Sequence, residues 1–236
     1  MEFNWNSDTI RRYRAANEYT GFYKKIAALI APKIQGYSTF CDIGCGLGLV
    51  DLELSPSIER ITCVDINAEA IAALRESIKE QEITNIAPCL MDYRDIRTSW
   101  DVIYLSFFGS RQLIEFLPRC KKLFAVVNGT NSEHFYLKKY RKFAKRTVTD
   151  VRSDLESHKI PYDLTELSLE FGQPLQSLAD ALDFLKSYSP LISQEEMTDI
   201  FSRLILTQDE RYPLFLPHEK TIGLFEITGT MGKQVV

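Results

Sequence analysis

The chain has 236 residues, of which 45% are hydrophobic and 25% are charged. This composition is ordinary for a globular protein, and the length suits one large domain or a domain with a sizeable insertion. The formal net charge of -4 and the pI near 5.5 argue against a nucleic-acid partner or a membrane surface as partner.

The N-terminus and the cysteines favour a cytoplasmic protein. The first residues carry no basic stretch before an apolar run, so they do not predict a secretory signal. The apolar run 26–31 is too short to span a bilayer. Five cysteines are present without a Cys-x-x-Cys pair. Cys41, Cys45 and Cys63 fall in or beside predicted core strands, which favours buried reduced thiols, and we expect no metal site.

Strands and helices alternate through the first half of the chain, which predicts a parallel sheet with helices on both faces. The predicted strands are 40–43, 61–65, 86–91, 102–108 and 123–127, and the predicted helices are 8–33 and three that begin at Leu49, Asn67 and Leu113. In the second half, helices are predicted from Ser132, at 148–158, from Ser177 and from Ser193, with strands at 167–171 and 221–228.

The most informative segment is residues 39–48, Thr-Phe-Cys-Asp-Ile-Gly-Cys-Gly-Leu-Gly, followed by Asp65 at the end of the next strand. We call residues 44–48 the glycine loop. Glycine adopts positive φ and lets the backbone approach a ligand, and the helix after the loop begins with N–H groups that face it. An acid at the tip of the second strand is placed to accept hydrogen bonds from ribose hydroxyls. These features predict an adenosine-containing cofactor.

The glycine spacing indicates which cofactor is bound. The dinucleotide fingerprint Gly-x-Gly-x-x-Gly requires a third glycine where this chain has Leu49, which disfavours a nucleotide-dependent oxidoreductase. The pattern Asp42-x-Gly44-x-Gly46-x-Gly48 instead resembles motif I of the class I S-adenosylmethionine-dependent methyltransferases. This resemblance implies an α/β, Rossmann-like fold. Its seven-stranded, mostly parallel sheet has helices on both faces and an antiparallel last strand.

The resemblance also implies a set of cofactor contacts. Asp42 is expected to hold the amino group of the methionine part, the loop glycines to lie under the cofactor, and Asp92 to bind the adenine amino group. Tyr19, on the N-terminal helix, is expected to touch the methionine carboxylate. The full set of expected cofactor-binding residues is Asp42, Gly44, Cys45, Gly46, Gly48, Asp65, Ile66, Met91, Asp92, Tyr93, Leu105 and Tyr19.

Ligands bind outside the carboxyl ends of parallel strands, so Ser106, Phe107 and Phe108 are expected to line the substrate site. The Asn/Asp-Pro-Pro-Tyr/Phe motif of nucleic-acid N-methylating subfamilies is absent from this position. His134 is a candidate general base. We therefore expect methyl transfer to a small molecule, with S-adenosylhomocysteine as product. The alternatives are a regulatory protein that binds the cofactor without catalysis, and an RNA methyltransferase that uses the basic stretch 138–146.

The expected organisation is a single methyltransferase domain, residues 1–236. Residues 1–36 would form an N-terminal helical cap and residues 37–130 the cofactor-binding core. Residues 131–236 would form a C-terminal half with a helical insertion at about 176–205. The helices at 8–33 and 178–205 are expected to cover the substrate.

Overall fold

A computed structural model describes residues 4–108, 112–130 and 146–232. Its helices are α1 Ser7–Thr20, α2 Phe22–Ile30, α3 Leu49–Leu54, α4 Ala68–Glu80, α5 Leu113–Phe116, α6 Val148–Ser157, α7 Leu178–Tyr188 and α8 Gln194–Ser202. Its strands are β1 Thr39–Ile43, β2 Arg60–Asp65, β3 Ile86–Leu90, β4 Trp100–Ser106, β5 Cys120–Asn128, β6 Tyr162–Glu170, β7 Gln173–Leu175, β8 Ile205–Leu206, β9 Leu214–Leu216 and β10 Glu219–Thr228. The helix predicted from Ser132 lies outside these residues.

The main sheet has seven strands in the order β3-β2-β1-β4-β5-β10-β6. Strands β1 to β5 are parallel, and β10 runs antiparallel to both β5 and β6. This confirms the expected Rossmann-like sheet with an antiparallel last strand. The strand order reverses between β1 and β4, so a ligand crevice is expected at the carboxyl ends of these two strands.

Side chains that alternate along each strand separate two hydrophobic cores, one on each face of the sheet. The first core lies against α2, α3 and α4 and contains Phe22, Ile26, Phe40, Leu74, Tyr104, Phe124, Val126, Ile222 and Leu224. The second core lies against α5 and α6 and contains Cys41, Ile43, Ile103, Leu105, Phe116, Val151 and Phe225. No helix among the described residues is long and apolar enough to cross a membrane.

The single helix predicted at 8–33 is wrong in one respect, because the chain forms two helices there. Asn6 and Thr9 form a capping box at the start of α1. The helix ends at Gly21, which adopts a left-handed conformation with φ 64°. Glycine favours this conformation because it has no Cβ, and α2 starts afresh from the same residue.

A small unit of residues 173–216 lies between β6 and β10 in the sequence. Helices α7 and α8 begin after Ser177 and Ser193, as predicted. The prediction missed a three-stranded sheet of order β7-β9-β8 in the same unit. Its own core contains Leu175, Ala181, Phe184, Leu185, Ile200 and Leu216.

The small unit is tied to α1 by a partly buried ion pair. The Arg12 guanidinium donates to Asp180 Oδ1 at 3.4 Å, and their side chains are only 9% and 12% exposed. Arg11 reaches the same oxygen at 3.3 Å. In addition, the side-chain amide of Gln173 donates to the Arg12 carbonyl at 3.3 Å. The N-terminal helix and the small unit are therefore joined by both charge and hydrogen bonding.

Candidate active site

The glycine loop follows β1 at the carboxyl edge of the sheet, and the N–H groups of its first three residues are bonded within the protein. The amides of Gly44 and Cys45 donate to the Val64 carbonyl at 2.7 and 3.1 Å. The amide of Gly46 donates to Asp65 Oδ2 at 2.8 Å. A pyrophosphate site needs such N–H groups for its ligand. The N–H groups of Gly44, Cys45 and Gly46 are already bonded within the protein, which disfavours a pyrophosphate on this part of the loop.

Asp65 ends β2 and has a structural role that the sequence did not reveal. Its Oδ2 accepts the Gly46 amide and its Oδ1 accepts the Asn67 amide, each at 2.8 Å. The carboxylate therefore holds the glycine loop against the start of α4. Each carboxylate oxygen can accept more than one hydrogen bond, so both retain capacity for ribose hydroxyls.

Asp42 lies beneath the loop beside a second buried carboxyl that the sequence analysis did not identify, Asp51 of α3. Asp42 is 2% exposed and Asp51 is fully buried. Among the described residues, Asp42 Oδ1 and both Asp51 oxygens have no partner at strict hydrogen-bond geometry, but the two carboxyl groups are close enough to share a proton, and the Cys63 thiol also lies beside Asp51. Burial raises the pKa of Asp51 to about 7. Burial, and then the neighbouring Asp51 charge, raise the pKa of Asp42 well above its usual value.

An ionised carboxylate that is buried without a partner destabilises the folded protein, and a bound cationic amino group would offset this destabilisation. The orphan Asp42 oxygen therefore fits the ammonium group of a methionine-type ligand. A sequence signal for Asp51 does exist, since it is the acid flanked by Leu49, Val50 and Leu52 at the start of an otherwise apolar helix.

Two aromatic rings lie directly on the glycine loop. A Cβ built on Gly44, which has φ 78°, would lie 2.5 Å from Phe108 Cδ1. A Cβ built on Gly46, which has φ 53°, would lie 2.8 Å from Trp5 Cζ2. Only glycine fits under these rings. A ligand that lies on the glycines must therefore pass between the rings or displace them, and Trp5 is a residue that the sequence analysis did not identify.

The ends of β2 and β3 expose apolar side chains beside Asp65. Ile66 is 48% exposed and Met91 is 40% exposed. The Met91 amide donates to the Asp65 carbonyl at 2.9 Å, which brings the two strand ends together. Exposed side chains of this kind offer the flat apolar contact that an adenine ring needs.

Asp92 follows β3, and its carboxylate is engaged by Arg94. The Arg94 Nε lies 3.0 Å from Oδ1, and its Nη2 donates to Oδ2. The Arg94 side chain, helped by its backbone N–H, lowers the pKa of Asp92 to about 2. Adenine would have to share this carboxylate with Arg94, so the adenine role of Asp92 stays a prediction.

Three other expected contacts have partners within the fold. The Tyr93 ring packs edge-on against Phe108 at 5.6 Å. Leu105 is 1% exposed in the second core, on the face opposite Asp42, which does not support a side-chain contact with the cofactor. Tyr19 stacks on Phe215 of β9 at 4.8 Å. Their cofactor roles also stay predictions.

The expected substrate-site residues lie at the end of β4, which stops at Ser106, two residues before the predicted end, so that Phe107 and Phe108 follow the strand. Phe107 has φ 56°, which is rare for a bulky side chain and turns the chain sharply here. The Lys220 Nζ of β10 lies 3.4 Å from the centroid of the Phe107 ring, a cation–π contact. Ser106 Oγ is buried and lies beside the Tyr104 hydroxyl, which it hydrogen-bonds. His134 and residues 138–145 of the basic stretch lie outside the described residues.

Aromatic residues of α1 and α2 pack over the same edge. The hydroxyl groups of Tyr13 and Tyr23 form a hydrogen bond of 3.0 Å. The Tyr13 ring lies 5.3 Å from Trp5 and 5.1 Å from Phe171. Phe22 lies 4.6 Å from Phe171. Burial raises the pKa of Tyr23 well above its usual value, so this hydroxyl stays protonated near neutral pH. We call these five residues the aromatic group.

Residues 40–126 match the profile of a family described as a methyltransferase domain. No curated protein sequence matches the chain significantly. The protein YcgJ of Bacillus subtilis shares its fold, with a TM-score of 0.55 at 14% identity over 86% of this chain and 97% of that one. Magnesium protoporphyrin IX methyltransferase of Synechocystis, solved with bound S-adenosylhomocysteine, has a TM-score of 0.56 at 10% identity over 95% of this chain and 89% of that one. Precorrin-6y C5,15-methyltransferase of Geobacter metallireducens has a TM-score of 0.51 at 13% identity, over 86% and 89%.

These likenesses establish a shared fold, and the profile match covers the strands that carry the glycine loop. Residues 40–126 therefore carry a methyltransferase domain, and the sheet order and glycine spacing agree with that match. The protein is a methyltransferase, and its cofactor is S-adenosylmethionine. The resemblance stated from the sequence is confirmed.

Proposed function

We propose that the protein methylates a small-molecule acceptor, which binds at the carboxyl ends of β4 and β5. The observation that carries this proposal is the aromatic group, which packs over that edge of the sheet. The Trp5 ring lies on Gly46, and the Phe171 ring packs against the rings of both Tyr13 and Phe22. A site covered in this way admits a small molecule, whereas a nucleic acid requires an open and positively charged surface.

The small unit of residues 173–216 extends this cover. Arg12 and Asp180 join it to α1, and Tyr19 stacks on Phe215 of its central strand. Methyl transfer needs alignment of donor and acceptor and exclusion of water more than it needs acid–base groups. A cover made of two joined parts supplies both. We propose the domain organisation given above for the same reason, with residues 1–36 as cap and the helices near 176–205 as insertion.

S-Adenosylmethionine supplies a methyl group on a positively charged sulfur, already activated for transfer. In our proposal Asp42 accepts a hydrogen bond from its ammonium group, and Asp65 accepts those of its ribose hydroxyls. Ile66 and Met91 contact its adenine. Two features support this assignment: the orphan Asp42 oxygen, and the lack of room for a Cβ on the loop glycines.

We assign the acceptor side to Ser106, Phe107 and Phe108. Phe108 touches the glycine loop and Phe107 lies under Lys220, so the residues span from the donor side to β10. Ring faces near a sulfonium are favourable because the π face is negative. The net charge of -4 also favours a small acceptor over RNA. We place the protein in the cytoplasm, in keeping with its five free cysteines.

The proposal is tested by measuring S-adenosylhomocysteine formation with separate acceptor pools. The purified protein is incubated with S-adenosylmethionine and either a metabolite extract freed of macromolecules, total RNA, or a protein pool. We expect product only with the metabolite extract, and much less with Asp65→Asn. Product with RNA alone would refute a small-molecule acceptor. Tight cofactor binding without turnover in any pool would instead indicate the regulatory alternative.

A further inference from the structure

Asp42 and Asp51 form a pair of buried carboxyl groups beneath the glycine loop. Asp42 follows Phe40 of the first core by two residues along β1, so its side chain lies on that face of the sheet. Asp51 is the third residue of α3, which begins directly after the loop. The two residues are 2% and 0% exposed, so bulk water barely reaches either carboxyl group. We call Asp42 and Asp51 the carboxyl pair.

The titratable groups around the carboxyl pair are thiols, hydroxyls and an acid. In the sheet Asp42 is aligned with Cys63 of β2 and with Tyr104 of β4, and Cys63 also lies beside Asp51. The other titratable groups that act on the pair are Tyr23 of α2, Cys41 of β1, Cys45 of the glycine loop and Asp65 of β2. None of these groups can become a cation and offset a negative charge on the pair.

The carboxyl pair therefore does not ionise fully in the folded protein. Two carboxylates that share a site repel each other, and burial disfavours even a single charge. Burial, and then the charge of Asp51, raise the pKa of Asp42 well above its usual value, and burial raises the pKa of Asp51 to about 7. The pair thus holds two protons below about pH 7 and one shared proton above it.

We infer that the carboxyl pair releases one proton when the ammonium group of the cofactor binds to Asp42, and that Asp51 keeps the other proton. This inference rests on the proposed role of Asp42 and makes Asp51 a positioning residue. Of the two protons on the neutral pair, one passes to solvent. The remaining proton is bound to Asp51, which donates it in a hydrogen bond to Asp42. Asp42 is then ionised and faces the ammonium group, so one negative charge matches one positive charge.

This arrangement makes cofactor binding depend on pH. Where one proton is released for each molecule bound, the affinity falls about tenfold for each pH unit below the midpoint. Above the midpoint the pair has already lost this proton, and the affinity becomes constant. Binding of S-adenosylhomocysteine should therefore weaken about tenfold from pH 6 to pH 5. An aspartate with an ordinary pKa would stay ionised over this range, and the affinity would hardly change.

A second ligand separates this proton from protons released elsewhere in the protein. Methylthioadenosine has the adenosine and the sulfur of S-adenosylhomocysteine but lacks the part that carries the ammonium group. It should bind without releasing the proton, so its affinity should not vary over the same range. Any histidine that responds to the adenosine part would affect both ligands alike.

The experiment is calorimetry of S-adenosylhomocysteine binding from pH 5 to pH 8, at each pH in two buffers of different ionisation enthalpy. The difference in heat between the buffers gives the number of protons released. We expect about one proton per wild-type molecule at pH 6 and close to none at pH 8.

Asp51→Asn tests where the proton comes from. The amide of asparagine can donate to Asp42 but has no proton to release, and it carries no charge. Release should therefore shift to lower pH by about one unit or more, so that at most about half a proton is released at pH 6. Asp101→Asn is the matched control, because the pKa of Asp101 is about 2 and this carboxylate stays ionised throughout the range.

The possible results separate the inference from the proposed function. No proton release by the wild type below pH 7, or equal release by Asp51→Asn, would overturn the inference. Equal release with methylthioadenosine would also overturn it, because the proton would then not depend on the ammonium group. Unchanged affinity of Asp42→Asn for S-adenosylhomocysteine at pH 8 would refute the proposed role of Asp42 itself. Weaker binding by Asp42→Asn, without proton release in the wild type, would refute only the shared proton.

Discussion

Asp51 provides the sharpest test of the electrostatics under the glycine loop. It is fully buried in α3, and its pKa is raised to about 7, chiefly by burial. Replacement by asparagine keeps the size of the side chain and removes its charge. We predict that Asp51→Asn makes the protein more stable than the wild type at pH 8 and leaves it nearly unchanged at pH 4.

The direction of this change in stability with pH follows from how many protons the folded and unfolded states bind. In the unfolded chain Asp51 ionises near its ordinary value of 3.8, whereas in the folded protein it stays protonated up to about pH 7. The folded state therefore binds more protons in this window, and stability falls as the pH rises from 4 to 7. One pKa unit corresponds to about 1.36 kcal/mol, so the wild type loses about 4 kcal/mol at this residue.

The assay is urea unfolding followed by tryptophan fluorescence at constant ionic strength between pH 4 and pH 8. The difference in unfolding free energy between Asp51→Asn and the wild type should grow with pH and level off above pH 7. Asp101→Asn is a control of opposite sign. The pKa of Asp101 is lowered to about 2 by Lys121 and by backbone N–H groups despite partial burial, so Asp101→Asn should be less stable than the wild type by an amount that is complete near pH 5 and stays constant up to pH 8. A flat difference for Asp51→Asn would refute the reasoning.

Three further predictions concern the cofactor loop and the cover. Gly46→Ala should lower affinity for S-adenosylhomocysteine at least about tenfold in calorimetry. Gly36 is the control, because its φ is 84° and no atom lies within 4 Å of an added Cβ. Gly36→Ala should cost about 1–2 kcal/mol of stability through backbone strain, as Gly46→Ala also does, without changing affinity. Asp65→Asn removes a charged acceptor and should weaken binding by about 1.5–3 kcal/mol, whereas Asp101→Asn, at the opposite edge of the sheet, should not; equal losses would remove Asp65 from the site. Asp180→Asn should destabilise the protein by on the order of 3 kcal/mol and speed proteolysis within 173–216, and unchanged cleavage would contradict the proposed clamp.

The sequence predicts the fold and the glycine loop well because their signals are local. Asp42 and the three loop glycines lie close together in the sequence, between the end of one strand and the start of a helix, and Asp65 ends the next apolar run. Strands β7 and β9 have three residues each, too few for a period to show. Gly21 divides the segment 8–33 into two helices, whereas the apolar stripe of that segment alone predicts one helix.

The missed site residues depend on contacts between distant parts of the chain. The ring of Trp5 reaches Gly46, and the guanidinium of Arg12 reaches Asp180, which is far along the sequence. Neither residue belongs to a motif that spacing could reveal. Asp51 was missed for a different reason, since its burial follows from how α3 packs on the sheet, and polar residues are usually exposed.

The connection between α1 and the small unit has a kinetic consequence. Trp5, just before α1, rests on Gly46, while Arg12 in the middle of α1 is bound to Asp180. Any shift of α1 that lifts the ring from the loop also pulls on α7. In the site that we propose, the donor and acceptor entrances would open in one motion, and exchange of spent cofactor would require the acceptor side to loosen as well. We expect turnover to be paced by a single opening step shared by both ligands.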